Sequence, residues 1–269
     1  MNNIQAAKES IRITAERKYE TGGQTVLLPE HDYTAVTVIT PADGNALLRE
    51  PIPAQKTMCR FSVTTESSFG AAARFQNPLV MNYANAHHAG GGFLLGANAQ
   101  EEALCRCSTL YASIKSDKAA EMYRYNNTHL SSTESDYMLL TQNAAVFRND
   151  QLALLAKPFP VGVITAPAPN KRGAAVFASA KTVQETFLRR IRIILRIAAK
   201  YGYRDLILGA WGCGAFGNDP EHVAKAFRTA LTENGMGTLF DNAVFAIYGY
   251  EAGKNYRAFH AVFEDLLAK

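Results

Sequence analysis

Leu79-Val80-Met81-Asn82-Tyr83-Ala84, followed by Gly90-Gly91-Gly92 and then Gln100-Glu101-Glu102, decides how this chain is read. The apolar run is a strand, and the segment from Gln100 to Tyr111, with Leu104, Ser108 and Tyr111 on related faces, is a helix. Between them, three glycines without Cβ atoms let the backbone take up positive φ and approach a ligand closely, with its N–H groups turned inward. Such a turn suits a ribose or a phosphate. Asn98 is placed as an N-cap, which makes Glu101 the N3 residue of a capping box. That gives Glu101 a structural reason to be there and leaves Gln100 and Glu102 without one. Neighbouring helical side chains point about 100° apart, so Glu101 and Glu102 cannot flank a sugar from opposite faces as paired carboxylates of most glycosidases do. One is expected to carry proton chemistry and the other to position the reacting group.

A second glycine segment lies more than a hundred residues further on, in Leu206-Ile207-Leu208-Gly209-Ala210-Trp211-Gly212-Cys213-Gly214-Ala215-Phe216-Gly217-Asn218-Asp219-Pro220. It reads as a buried strand, a turn, and a helix opened by Asp219 as N-cap and Pro220 at N1. Successive N–H groups at a helix start form a cradle for a diphosphate. Gly212, Gly214 and Gly217 also fit the spacing of a dinucleotide fingerprint. A Rossmann site, however, opens the first βαβ unit and places an acid about 20 residues on, at a strand end. Here Glu233 falls in a helix and the loop lies near the C-terminus.

The pattern of three glycines, a spacer and Gln-Glu-Glu resembles that of poly(ADP-ribose) glycohydrolases, whose catalytic domain is a macrodomain. Asn82-Tyr83-Ala84-Asn85 before the glycines and Leu104-Cys105-Arg106-Cys107-Ser108-Thr109-Leu110-Tyr111 after the glutamates are similar to the short bacterial type, and the second glycine segment is a further anchor. The resemblance implies that Glu102 is the catalytic acid and base, that Glu101 and Asn85 hold the ribose whose anomeric carbon is attacked, and that Phe216 stacks beside the diphosphate. It assigns ligand contacts to Gly90, Gly91, Gly92 and Gln100 in the first segment, and to Gly212, Cys213, Gly214, Ala215 and Gly217 in the second. The implied reaction needs a proton on Glu102. Burial and the charge of Glu101 favour that proton, whereas the helix N-terminus favours the anion. Many relatives carry a proline just before the glycines. This chain has His87-His88-Ala89, a less rigid approach, and the histidine pair is read as loop rather than catalytic or metal-binding.

Working outward, α/β alternation begins at Cys59 to Thr65, with further strands near 144–148, 161–166, 205–210 and 243–248. Ser179 to Tyr201 is a long helix with Val183, Phe187, Ile191, Ile194, Leu195 and Ala198 on its apolar face. Its arginines Arg189, Arg190, Arg192 and Arg196 are read as a solvated face. Residues 2 to 20 read as a charged helix stopped by Gly22-Gly23, with short strands at Thr25–Leu28 and Ala35–Thr40, and Pro51-Ile52-Pro53 marks a boundary. The expected organisation is an N-terminal extension, residues 1–55, and a macrodomain-like catalytic domain, residues 56–269. The expected fold class is α/β, a three-layer α/β/α macrodomain with ligand over the strand ends. The resemblance, not periodicity, makes its central sheet mixed. Thr165 to Arg172 is a candidate pocket wall, and Glu66, Ser67 and Phe69 are candidates for the adenine side.

The chain has 269 residues, 48% of them hydrophobic, enough for a substantial core. Its net charge of +4, from 28 basic and 24 acidic side chains, is far from the excess of a dedicated nucleic-acid binder. No apolar run is of membrane-spanning length and the N-terminus lacks a signal-peptide core, so a cytoplasmic, membrane-free protein is expected. Its oligomeric state stays open, with a monomer favoured. Cys59, Cys105, Cys107 and Cys213 contain no CxxC pair, and no metal or other cofactor is expected. Three classes stay open. A hydrolase of poly(ADP-ribose), or of mono-ADP-ribosylated protein or nucleic acid, uses the whole Gln-Glu-Glu set, and its partner is an ADP-ribose polymer or an ADP-ribosylated macromolecule. A binding macrodomain needs both glycine loops but not Glu102. An NAD-dependent oxidoreductase uses Gly212 to Gly217 and leaves the first segment unexplained.

Overall fold

A capping box opens the chain: Asn2 accepts the Gln5 N–H and the Gln5 side chain returns the bond, starting α1 (Asn3–Glu16). The computed structural model describes residues 1–52 and 59–267, so Pro53 of the expected boundary lies outside the described residues. Arg17, in the left-handed region, ends α1, and a hairpin follows, β1 (Lys18–Thr21) and β2 (Gln24–Leu27). The helix expected to reach residue 20 is therefore shorter. Gly22 and Gly23 both have positive φ and close the two-residue turn of the hairpin rather than stopping a helix. Next come β3 (Thr37–Ile39) and α2 (Pro41–Arg49), then β4 (Arg60–Thr64), α3 (Ser68–Ala72) and β5 (Pro78–Ala84).

The first glycine turn leads into α4 (Gln100–Cys107), α5 (Leu110–Ile114) and α6 (Ala120–Thr128). The single helix expected from Gln100 to Tyr111 is broken at Ser108, which is extended and forms a bridge with Val146. Two long strands, β6 (Met138–Arg148) and β7 (Leu154–Pro167), contain the shorter ones read at 144–148 and 161–166. They are followed by α7 (Ala180–Lys200), β8 (Asp205–Leu208), α8 (Pro220–Arg228), β9 (Asn242–Ala246) and α9 (Lys254–Phe263).

Seven strands form one sheet in the order β3-β6-β7-β5-β8-β9-β4. Only β6 runs against the rest: its pairings with β3 and β7 are antiparallel, and the other four are parallel. The sheet is mixed, as expected, and the C-terminal ends of its parallel strands share one edge. Strand residues alternate between two cores because successive Cβ atoms leave opposite faces. Leu79, Met81, Leu206 and Leu208 pack with α2, α7, α8 and α9, whereas Val80, Val163, Ile207 and Val244 pack with α3 to α6. Two helical layers thus enclose the sheet. Residues 1–52 are built into this body: β3 is a sheet edge, α1 packs on α4, and α2 packs on α7.

The apolar face read on α7 is buried throughout, and each of Ile191, Ile194 and Leu195 contributes about 1.5–3 kcal/mol by leaving water. Its arginines do not form a solvated face. Arg190 is fully buried, donating to Asp136 Oδ1 at 2.8 Å and to the carbonyls of Pro167, Thr133 and Glu134 at 3.0, 2.6 and 3.0 Å. Arg189 grips the same Asp136 carboxylate, and Arg196 is buried against the carbonyls of Glu50 and Pro51. These cations staple loop carbonyls to α7, a use that spacing on a helix does not reveal.

Candidate active site

The sheet opens where β8 leaves β5. Their ladder ends at Val80 paired with Ile207, while β5 runs on to Ala84 alongside β7. The free β5 edge is taken by Gln100, whose Oε1 accepts the Tyr83 N–H at 2.9 Å and whose Nε2 donates to the Met81 carbonyl at 2.7 Å and to Ser68 Oγ at 3.0 Å. One side-chain amide therefore completes the backbone bonding of β5 and fixes the start of α4 against it. Above this opening lies a cleft of about 690 Å³ lined by residues including Ser67, Phe69, Asn85, Glu102, Gly214 and Tyr248.

The cap of α4 differs from the expectation. Ala99 is the N-cap, and Glu102 is the N3 residue that accepts the cap N–H, at 3.1 Å on Oε2. Asn98 is unavailable because buried Arg106 donates to its Oδ1 at 2.7 Å and to the Ala97 carbonyl at 2.6 Å. Glu102 thus has the structural role expected of Glu101, and its Oε1 takes a second N–H, from Gly92 at 2.9 Å.

Glu101 points toward the sheet. Its Oε2 accepts the Asn85 N–H at 2.8 Å, and its Oε1 lies 3.4 Å from Asn82 Nδ2. Burial pushes its carboxyl up to about 8 against the pull of the Asn85 N–H and the Asn82 amide, with the Glu102 charge adding to the rise. Asn85 is spent differently on each side: its N–H orients Glu101, and its Oδ1 accepts the N–H groups of His87 and His88 at 2.8 and 3.0 Å.

The three glycines are required by what lies against them. Gly90 and Gly91 have φ of 71° and 52°. A Cβ on Gly91 would sit 2.5 Å from Glu102 Oε1 and 3.3 Å from Glu101 Oε2, and one on Gly92 would meet the Ala97 methyl at 2.7 Å. The turn approaches closely, as expected, but it approaches carboxylates of its own protein. Its N–H groups are committed internally: Gly91 to the His88 carbonyl, Gly92 to Glu102 and Phe93 to the Gly90 carbonyl.

The second loop is built in the opposite sense. Buried Trp211 donates its indole N–H to the Ala166 carbonyl at 3.1 Å and packs edge-on against Phe187, anchoring the loop to β7 and α7. Asn218 is buried and bonds the carbonyls of Pro169 and Gly212 at 2.7 and 3.0 Å, and the Phe216 carbonyl accepts the Lys171 N–H. The Thr165–Arg172 segment therefore braces this loop from below. Between the anchors, the N–H groups of Gly212, Gly214, Ala215 and Phe216 have no acceptor among the described residues. Asp219 caps α8 at the Glu221 N–H, and Pro220 stands at N1, as read. Phe216 is half-buried and lines the cleft, and so do Gly212, Gly214 and Ala215. Cys213 is packed beneath, with burial pushing its thiol up to about 12.

Sequence reading missed the polar residues under the site. Asn82 and Thr165 are cross-strand partners on β5 and β7, fully buried on the face toward α4. Asn126 holds the Ala86 carbonyl, and Asn127 holds both the carbonyl and the ring of His87. The His87 ring also lies 3.3 Å from the buried Glu134 carboxylate, whose backbone has positive φ and is held by Arg190. The clue available was position: a polar residue at an inward-facing strand position, such as Asn82, must have a buried partner. Among the described residues there is no cluster able to hold a metal and no helix long and apolar enough to cross a membrane, and all four cysteines are free.

A family model described as the catalytic domain of microbial-type PARG matches residues 7–149. No curated protein matches the chain. Among solved structures, the chain is similar to poly(ADP-ribose) glycohydrolase from Thermomonospora curvata, with 32% identity, 97% of this chain and 99% of that chain covered, and a TM-score of 0.90. The same enzyme bound to the inhibitor ADP-HPD matches at 32% identity with a TM-score of 0.87, covering 96% and 98% of the two chains. Poly(ADP-ribose) glycohydrolase from Deinococcus radiodurans in complex with ADP-ribose matches at 36% identity and a TM-score of 0.80, over 90% of this chain and 100% of that one.

Proposed function

This chain belongs to the microbial-type poly(ADP-ribose) glycohydrolases, and from that membership we propose how it hydrolyses the ribose–ribose bond of poly(ADP-ribose). The observation that carries the mechanism is the placing of Glu101 and Glu102 over the first glycine turn, with four backbone N–H groups of the second loop on the same cleft that meet no acceptor among the described residues. Those N–H groups receive the diphosphate of the terminal unit, since successive backbone donors beside a helix N-terminus suit an anion. Phe216 covers it. Ser67 and Phe69 line the part of the cleft offered to the adenine.

Diphosphate binding brings negative charge toward Glu102 and draws a proton onto it. Glu102 gives that proton to the leaving oxygen, the ribosyl carbon passes through an oxocarbenium-like transition state, and the resulting carboxylate takes a proton from the attacking water. Glu101 and Asn85 orient the ribose. Gln100 acts one step back: with both ends of its amide bonded to the protein, it aims α4. Because the cleft takes a terminal unit, release of ADP-ribose from chain ends is the expected mode.

Purified protein is given automodified poly(ADP-ribose), wild type beside Glu102→Gln, and ADP-ribose binding is measured on both by calorimetry. Loss of roughly 10²–10⁴-fold in release with binding retained is expected for a missing general acid. Full activity in Glu102→Gln would discard the mechanism. Binding by both proteins without release from polymer, but with release from mono-ADP-ribosylated protein, would move the substrate.

A further inference from the structure

Asn82 and Thr165 face each other across β5 and β7, directly beneath Glu101. Asn82 is fully buried, yet its Oδ1 has no hydrogen-bond partner among the described residues. Its Nδ2 donates to Thr165 Oγ1 at 3.1 Å and stands 3.4 Å from Glu101 Oε1. That second separation is long for a bond to an anion, which draws a donor to about 2.7–2.9 Å. A half-turn of the amide exchanges its oxygen and nitrogen without moving any other atom, and places Nδ2 where Oδ1 met no donor. With Oδ1 on the Glu101 side, one carbonyl oxygen accepts from the Thr165 hydroxyl and from a protonated Glu101, using both of its lone pairs.

The surroundings favour the protonated form. Glu101 and Glu102 are both buried, and an oxygen of each converges on the space above Gly91, close enough for like charges to repel. Among the described residues, the titratable groups that interact with Glu101 are Glu102 on its own helix, Cys105 one turn on, and Tyr123 of α6, and none of these is a cation. Burial already pushes Glu101 up to about 8 against the pull of the Asn85 and Gly90 N–H groups and of the Asn82 amide. Turning that amide reverses its effect.

We propose that Glu101 is a neutral carboxylic acid in the resting protein, its Oε1 hydroxyl donated to Asn82 Oδ1, so that Asn82 and Thr165 are positioning residues for a proton held on the carboxylate pair. Its catalytic consequence rests on the reading of Glu101 and Glu102 as the reacting pair. With Glu101 uncharged, the pair presents a single anion, Glu102, and the incoming diphosphate needs to draw only one proton to make the acid. As pH rises through about 8, Glu101 ionises and a second buried anion opposes both diphosphate binding and turnover.

Infrared difference spectra of the ligand-free protein, recorded on either side of about pH 8, test this directly. A carboxylic-acid carbonyl band is expected that disappears at the higher pH, is absent in Glu101→Gln and persists in Glu102→Gln. In Asn82→Leu it moves to the higher frequency of an acid that donates no hydrogen bond. In Thr165→Val, which leaves Oδ1 wholly to Glu101, it moves lower, and this variant gives the reading if Asn82→Leu does not fold. No band in the wild type, a band that survives Glu101→Gln, or a band unmoved by changes at both Asn82 and Thr165 overturns the proposal. No substrate is present, so a failure of the hydrolytic reading would leave this result untouched.

Discussion

The two glycine loops look alike in sequence and do opposite things with their backbone. In the first, the N–H groups of Gly91, Gly92 and Phe93 are consumed inside the protein, and a Cβ at Gly91 or Gly92 would collide with a carboxylate or a methyl group. In the second, among the described residues, the N–H groups from Gly214 to Phe216 have no acceptor and a Cβ on Gly214 would meet nothing within 4 Å. The first loop is a mould for Glu101 and Glu102, and the second presents its donors to the cleft. Glycine content alone does not distinguish them; where the N–H groups go does.

Substitutions that add one methyl should separate the two. Gly91→Ala forces Glu102 Oε1 aside at a residue with φ of 52°, and displacing a reacting group by an ångström costs about a hundredfold in rate. Release of ADP-ribose should fall by that much while calorimetric ADP-ribose affinity stays within a factor of a few. If affinity fell as far as rate, the first loop would be a ligand cradle after all. Gly212→Ala, with φ of 72° and a Cβ 2.7 Å from Ala168 and Asn218, should shift the second loop and weaken binding about tenfold, equivalent to about 1.4 kcal/mol. Gly214→Ala beside it is the control for stability, expected within about 0.5 kcal/mol of wild type in thermal unfolding.

Smaller effects sharpen the contrast. Phe216→Ala removes one aromatic face and should weaken ADP-ribose binding several-fold, about 0.5–1.5 kcal/mol, with the catalytic step of bound substrate unchanged in single turnover. The first loop, by contrast, should show itself in stability against pH. Because the carboxyl of Glu101 is raised from 4.5 to about 8, its contribution to stability is fully present below 4.5 and is lost as pH rises through about 8. The advantage of Glu101→Gln over wild type in denaturant midpoint should therefore grow across that window. An unchanged difference would mean that Glu101 ionises freely where it sits.

Much of this was legible because it is periodic. The alternating strands, the apolar face of α7 and the Asp219-Pro220 start of α8 follow from local pattern, and the paired glycine segments led to the right family. What was misread depends on partners distant in sequence. Asn98 looks like an N-cap until Arg106 takes its oxygen, and Ser108 looks helical until Val146 bridges to it. Arg190 looks solvated until four oxygens, from the end of β7 and the 133–136 loop, gather around it. Asn82 is an inward-facing polar residue in an apolar strand, a signal that was present in the sequence but whose partner, Thr165, lies 83 residues away.

Gln100 has a bearing on how this site tolerates change. It ties α4 to main-chain atoms of Met81 and Tyr83, which every amino acid except proline at the donor position supplies unaltered. The aim of the two glutamates is therefore indexed in good part to the peptide skeleton, with the Ser68 hydroxyl as a further tie. Core residues beneath α4 can drift from one sequence to another while the carboxylates keep their bearing, in the way that a part located by a dowel keeps its alignment when the packing around it is replaced.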